Sequence, residues 1–291
     1  MKRLLGLLLI ALISCSCYAK KSTTLVLSTY NLRCDTDVDI ARGDEWNKRK
    51  PYVKGLIQFH GFDIFGTQEL RLNQIDDMLA MMPEYSYVGA GRDDGKKAGE
   101  HVAIFYRTDK FELVDSGSFW LAEDETKPVR GWDAAYTRIC TWGEFKVKET
   151  GFKFVYFNVH LDNEGAIARQ ESAKLIMAKM NALSPTLPAI MAGDFNVNES
   201  SELYKTLSKS TKLFDSRKIA DMVYCNNVSY NDFNPAGANE GILDYVFLSK
   251  DFRVKKYGLL TDVYRTIEAS GEAKARTPSD HFPIMLILET K

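Results

Sequence analysis

Two oxygen-bearing side chains at alternate positions, Asp194 and Asn196, close the stretch Leu187-Pro188-Ala189-Ile190-Met191-Ala192-Gly193-Asp194-Phe195-Asn196. A short apolar run of strand length leads into them. Residues two apart on an extended chain point the same way, so a carboxylate and a carboxamide can face one point beyond a sheet edge. A carboxylate there can take a proton from water, and an amide can hold a substrate oxygen without adding charge. The plain alternative is a strand followed by an Asx-type turn. Three other strand-like runs end in comparable chemistry: Asn158-Val159-His160, Gly66-Thr67-Gln68-Glu69 and Ser279-Asp280-His281.

Positioning such ends requires a set of strands that converge. The segment from Thr24 to Leu32 reads as a first, mostly buried strand with Asn31 at its end. Helical spacing of Trp46, Val53, Leu56 and Ile57 predicts a helix from Trp46 to His60 despite Pro51. A second strand, Phe62 to Gly66, leads to Gln68 and Glu69, and a helix follows from Asn73 to Met82. After Tyr85 to Ala90 comes a Gly/Asp/Lys-rich turn region from Gly91 to Gly99, read as a rim of the site, and then the strand Val102 to Arg107 with Glu100 at its mouth. Lys110 to Leu121 reads as a strand pair or one bent strand. Thr137 to Lys148 and Phe152 to His160 read as a hairpin turning at Glu149-Thr150-Gly151, with Arg138 on the first arm. Ala166 to Leu183 is the clearest helix, followed by strand Ala189 to Ala192 and a helix near Ser201 to Leu207. A loop-rich stretch then runs to Gly241, strand Ile242 to Leu248 carries Asp244, and Phe282 to Leu288 is the final strand. Helices alternate with strands throughout, with no linker or composition break, so a single α/β domain over 22–291 is the economical architecture.

The 291 residues are 45% hydrophobic and 26% charged, ordinary for a globular chain. Residues 1–19 read as an export signal: Lys2 and Arg3 precede the apolar run Leu4 to Ile13. Leu12-Ile13-Ser14-Cys15 resembles a lipobox with Cys15 as the lipidated residue, and cleavage after Ala19 is the alternative. The expected destination is a lipid-anchored, periplasmic or secreted protein, with the membrane touched only through that anchor. Cys34, Cys140 and Cys225 are too scattered for a disulfide framework or a zinc motif. Loss of Lys2 and Arg3 leaves 36 basic against 39 acidic residues, a net of about -3. No global basic field exists to gather nucleic acid. The aspartates at 35, 37, 39 and 44 lack the glycine and distal glutamate of a calcium loop.

Taken in order, Thr29-Tyr30-Asn31-Leu32-Arg33, Thr67-Gln68-Glu69, Asn158-Val159-His160-Leu161-Asp162, Gly193-Asp194-Phe195-Asn196, Leu243-Asp244-Tyr245-Val246 and Ser279-Asp280-His281-Phe282-Pro283 resemble the motif series of the endonuclease/exonuclease/phosphatase superfamily. Gly91-Arg92-Asp93-Asp94-Gly95 and Gly131-Trp132-Asp133-Ala134-Ala135 are similar to a bacterial subgroup of metal-dependent hydrolases. The resemblance implies a four-layer α/β sandwich, two packed mixed β-sheets flanked by helices. It implies phosphoester hydrolysis with magnesium or manganese, with Glu69 as the main metal ligand and Asp280 and Asn31 completing or supporting the sphere. Some family nucleases carry an acid two residues after the asparagine; here that position is Arg33.

By the same resemblance His160 and His281 hold phosphoryl oxygens, Arg138 adds a fork of hydrogen bonds, Glu100 orients His160, and Asp244 orients His281. Asp194 orients or deprotonates water beside Asn196, and either Asp194 or His281 serves as base. Arg71 is compatible with phosphate contact or helix capping, the tryptophans at 120 and 132 with substrate contact or packing. His60 and His101 are assigned no catalytic part. The expected activity is a phosphoesterase or phosphodiesterase acting on a small-molecule, glycan or lipid-headgroup phosphate, with no obligate protein partner. The alternatives are a nuclease, which the near-neutral charge disfavours, and a binding protein that has lost catalysis on the same fold. A sphingomyelinase-like activity ranks lower because no apolar hairpin is present to enter a membrane.

Overall fold

The computed structural model describes residues 22–183 and 185–291. The expected export segment 1–19, with Cys15, lies outside the described residues. Alternation of side chains along the first strand, β1 (Thr24–Asn31), already divides the molecule. Leu25 and Leu27 point into a core between two sheets, whereas Tyr30 packs with Trp46, Val53 and Ile57 in a second core beneath the helices.

The elements that follow are α1 (Asp37–Arg42), α2 (Trp46–Phe59), β2 (Ile64–Leu70), α3 (Leu72–Met81), β3 (Tyr85–Val88), β4 (His101–Arg107) and β5 (Phe111–Trp120). Next come β6 (Ile139–Val147), β7 (Lys153–His160), α4 (Ala166–Leu183), β8 (Ala189–Asp194), α5 (Glu202–Ser208), β9 (Phe214–Asp215) and α6 (Ser216–Ile219). The chain continues through β10 (Val223–Tyr224), β11 (Asp244–Leu248), β12 (Phe252–Leu259), β13 (Tyr264–Ile267), β14 (Ala273–Arg276) and β15 (Ile284–Thr290). One sheet runs β10-β12-β15-β1-β2-β4-β3, the other β5-β6-β7-β8-β11-β9, and β13 pairs with β14 alone. Both large sheets are mixed: β1 and β2 are parallel within the first, β7 and β8 within the second. The Ala173, Ile176 and Met180 side chains of α4 join the core of the second sheet, as α2 and α3 cover the first. The result is the expected α/β sandwich of four layers.

Several expected boundaries shift. β2 continues past Gly66 to Leu70, with a register irregularity between Thr67 and Leu70. β5 is one strand, irregular between Leu113 and Asp115, rather than a pair. The 35–44 segment contains the short helix α1, and β12 to β14 occupy a region for which the sequence suggested no elements. Arg71 is the N-cap residue of α3, its backbone N–H donating to Gln74 Oε1 at 3.0 Å. Cys34, Cys140 and Cys225 are free.

A polar layer joins the sheets just below their common end. Gln68 donates to Asn158 Oδ1 at 2.8 Å and Thr29 Oγ1 at 3.1 Å, and Asn158 donates to the Thr67 and Ala103 carbonyls at 2.9 and 2.8 Å. Tyr156 Oη accepts from Gly66 N–H and donates to the Ser28 carbonyl. Buried polar groups cost little when they are bonded in this way. They also define how one sheet seats on the other, because a slide by one residue would orphan them.

Candidate active site

The parallel pairs bring their ends to one place. Asn31 stands beside Gln68 in one sheet and His160 beside Asp194 in the other. Gly193 makes the second pairing possible: its φ is +146°, and a Cβ there would collide with the Val159 carbonyl. β8 ends at Asp194, and Asn196 has a φ of +51°, so the amide does not reach the site by strand alternation. Its backbone N–H donates to Asp194 Oδ1 at 2.9 Å, which is an Asx-type turn, and its side chain donates to the Leu161 carbonyl. The turn reading and the functional reading therefore coincide, because Asp194 Oδ2 remains aimed into the cleft. Arg33, just past β1, and Glu69, at the irregularity inside β2, also have left-handed backbones, φ +56° and +69°. Non-glycine residues held there store on the order of 1 to 3 kcal/mol each, a cost that accumulates at sites where side chains must be aimed.

The cleft has a volume of about 490 Å³ and is lined by Glu69, Glu100, Arg138, His160, Asp194, Asn196, Asp280 and His281 among others. Asp194 Oδ2 lies 3.7 Å from His160 Nε2 and 3.7 Å from His281 Nε2, and accepts from Asn31 Nδ2 at 3.1 Å. Asp244 lies behind this group, its Oδ2 2.9 Å from His281 Nδ1, as expected of an orienting carboxylate. Glu100 does not take the part expected for it. Its Oε2 accepts from Arg92 Nη1 at 2.6 Å, and no hydrogen bond joins it to His160. The longer reach of Arg92, carried in on the glycine-rich rim, captures it first.

The two histidines differ in charge. Burial would lower the His281 pKa, but Asp244, Asp194 and Asp280 overcome it and raise the value to about 10, so the ring is an imidazolium at neutral pH. Burial, with Arg138, Arg92 and His281 as neighbours, holds His160 well below its ordinary value and therefore neutral. Asp194 is pushed up to about 7 by burial and by Asp244. That places a carboxylate near the working range of a general base.

Asp194, Asp244 and His281 offer donor atoms within 4.8 Å of one another. An imidazolium whose Nδ1 is already committed to Asp244 is a poor metal ligand, so this cluster is better described as a hydrogen-bonded chain. The adjoining carboxylates fit a cation better. Glu69 Oε1 accepts from Asn31 Nδ2 at 3.0 Å and its Oε2 from Cys34 N–H at 3.2 Å, while Asp280 is pushed up to about 6 by burial, with His281 opposing and Glu69 adding to the rise. A half-buried Glu69 and a buried Asp280 that disturb one another, both oxygen donors, match a hard divalent ion. Asn31 bridges Glu69 and Asp194 with its amide nitrogen and so supports that pair.

Arg138 donates from Nε to Asp162 and from Nη2 to Asn163 at 3.0 Å while lining the cleft. His60 pairs with Asp262, and His101 meets the Leu70 carbonyl, both away from the cleft lining. The cleft residues that went unassigned in sequence include Arg92, Tyr136, Asn163, Tyr230 and Glu240. The signal for Tyr136 was its place two residues before Arg138, which an extended segment turns toward the same side. Arg33, read only as a departure from an acidic position, pairs with Asp39 at 3.1 Å and approaches Asp280 at 3.9 Å.

A two-sheet sandwich with strand-end carboxylates and histidines gathered over its polar layer is the arrangement of a family that most of the chain also matches. The endonuclease/exonuclease/phosphatase family pattern covers residues 28–281, and the chain belongs to that family of hydrolases. Among solved structures, an endonuclease/exonuclease/phosphatase family protein from Bacteroides thetaiotaomicron is 48% identical, with a TM-score of 0.91 over 93% of this chain and 99% of its own. A mannosyl-6-phosphatase from the same organism is 48% identical, with a TM-score of 0.88 over 91% of this chain and 99% of its own. A family member from Bacteroides vulgatus is 36% identical, with a TM-score of 0.83 over 92% and 100% of the two chains.

Proposed function

We propose that the protein is an exported, divalent-metal-dependent phosphoesterase that hydrolyses the phosphate ester of a phosphorylated sugar. The observation that carries the reading is Asp194 Oδ2, set 3.7 Å from both a neutral and a charged imidazole beside the Glu69–Asp280 pair. The 48% identity to a mannosyl-6-phosphatase supports a sugar as the leaving group. Export rests on Lys2, Arg3, the apolar run Leu4 to Ile13 and the lipobox-like Leu12 to Cys15.

Glu69 and Asp280, with Asn31 holding Glu69 in place, would bind magnesium or manganese, which when bound supplies charge neutralisation to the phosphoryl group. Asp194 accepts the proton of the attacking water, and Asn31 and the Asn196 N–H fix its two oxygens for that purpose. His281, held charged by Asp244, donates from Nε2 to a phosphoryl oxygen and is therefore unsuited to be the base. His160 remains a neutral donor to the same group. The near-neutral chain and the limited cleft give no support to a nucleic-acid groove, so nuclease activity is the second reading.

The test is release of phosphate from p-nitrophenyl phosphate, mannose 6-phosphate, bis-p-nitrophenyl phosphate and plasmid DNA with magnesium, with manganese and after chelation. The expected result is metal-dependent cleavage of the monoesters, lost in Asp194→Asn and His160→Ala. Efficient DNA cleavage with idle monoesters would instead support the nuclease, and full activity after exhaustive chelation would refute the metal requirement.

A further inference from the structure

On one wall of the cleft, outside the cluster around Asp194, Arg92 is bonded to Glu100 at 2.6 Å. The Arg92 and Arg138 guanidiniums pack on the Tyr136 ring at 5.4 and 5.5 Å, and Arg138 also holds Asn163 at 3.0 Å. We infer that Glu100 and Arg92, with Asn163 beside them, form the subsite that reads the hydroxyl groups of the sugar leaving group. The inference rests on the phosphoesterase reading above and assigns the part of the cleft that chooses the substrate.

Charge balance distinguishes this wall from the phosphoryl end that it adjoins, where Arg138 and Arg92 act on His160 and Glu69 acts on Glu100. A phosphate needs cations whose charge is not already matched, yet Arg92 is neutralised by Glu100 and Arg138 by Asp162 at 3.3 Å. A neutral pair instead offers acceptors on Glu100 and donors on Arg92 side by side, which suits neighbouring hydroxyls.

The wall is also rigid before any ligand arrives. Asp162 accepts the backbone N–H groups of Ala135, Tyr136, Glu164 and Gly165, and Asp133 accepts those of Ile167 and Ala168 at the start of α4. Trp120 Nε1 donates to the Arg92 carbonyl at 2.7 Å, fixing the other arm. A site held in this way loses little entropy when it binds. The neighbouring Tyr136 is 48% exposed, so the wall opens to solvent where the rest of a sugar would extend.

The experiment compares kcat/KM for mannose 6-phosphate and p-nitrophenyl phosphate in the full chain, in Glu100→Gln and in Arg92→Ala. The second ester has a flat aryl leaving group without hydroxyls. The wild type is expected to prefer the sugar ester, and each variant to lower the ratio of the two constants by about 10-fold or more, the scale of a charge-assisted hydrogen bond. The near-isosteric Glu100→Gln keeps the packing, and its thermal midpoint shows whether it folds. Equal losses on both esters would overturn the inference and assign the pair to phosphate binding, as would a wild type that prefers the aryl ester. A wild type that cleaves neither ester removes the underlying phosphoesterase reading, and this one with it.

Discussion

Replacing Asp244 by asparagine tests the charge of His281 directly. The two side chains are 1% and 4% exposed and joined at 2.9 Å, so the substitution preserves shape while removing a buried negative charge. The difference between the ordinary histidine value of 6.5 and about 10 corresponds to a preference for the charged ring on the order of 5 kcal/mol. Burial opposes that preference and Asp244 is its largest source, so in the variant, with Asp194 and Asp280 alone left against burial, the ring gives up its proton at a lower pH than in the wild type. Losing a preorganised charged donor costs about 100-fold to 1000-fold in kcat. Breaking a buried pair also costs about 3 kcal/mol of stability. The assay is the pH profile of p-nitrophenyl phosphate hydrolysis with saturating magnesium, with thermal unfolding as control. The variant should fall furthest behind the wild type near about pH 8 and recover relative to it near about pH 5.5, where the ring is protonated again. A folded variant whose deficit is the same at both pH values would refute the reasoning.

Two other perturbations follow from the same geometry. In the metal-free protein, His281 contributes stability that is fully present below 6.5 and is lost as pH rises through about 10, and Asp194, raised from 3.8 to about 7, acts in the same sense at lower pH, its share being lost as pH rises from 3.8 through about 7. The folded chain thus holds protons that the unfolded chain has released, and thermal stability should fall between about pH 6.5 and about pH 9, with magnesium flattening the slope. His160 titrates below that window, and a stability that rises across it would contradict the assignment. Gly193→Ala adds a methyl group against the Val159 carbonyl at a φ of +146° and should cost about 3 kcal/mol or more, measured by urea unfolding, with loss of activity in whatever remains folded. A variant of wild-type stability would show that the β7–β8 pair can spread without penalty.

The strand ends were legible because their chemistry sits in short, continuous stretches: Asn31, Glu69, His160 and Asp194 each close or follow an apolar run, and Asp280 lies just before one. The left-handed backbone at Glu69 was not legible, since the residue is not a glycine and local sequence offers no mark of a positive φ there, whereas the turn at Asn196 was one of the two readings that Asp194 and Asn196 allowed. The Glu100 partner was misjudged because Arg92 and His160 lie 68 positions apart and only tertiary packing decides which reaches it. Helix α1 has six residues, too few for a periodic signal. β13 and β14 form a largely exposed hairpin of four-residue strands, rich in charge, with little apolar alternation to read. Strand β12 carries the adjacent Lys255 and Lys256 where its pairing slips between Val254 and Lys256, so its alternation is broken in mid-strand.

The place of β15 in the first sheet has a consequence for the order of assembly. This strand belongs to the chain's last segment, yet it does not sit at a sheet edge; it lies between β12 and β1, pairing Thr24 with Glu289 and Phe252 with Thr290. Asp280 and His281 immediately precede it. During synthesis, β1 therefore waits with an open flank until some 250 further residues have been added, and His281 arrives with the strand that closes the gap. An unfinished chain carries Glu69, His160 and Asp194 but no imidazolium to work with them. The cleft is thus completed late, in the same step that seals the sheet.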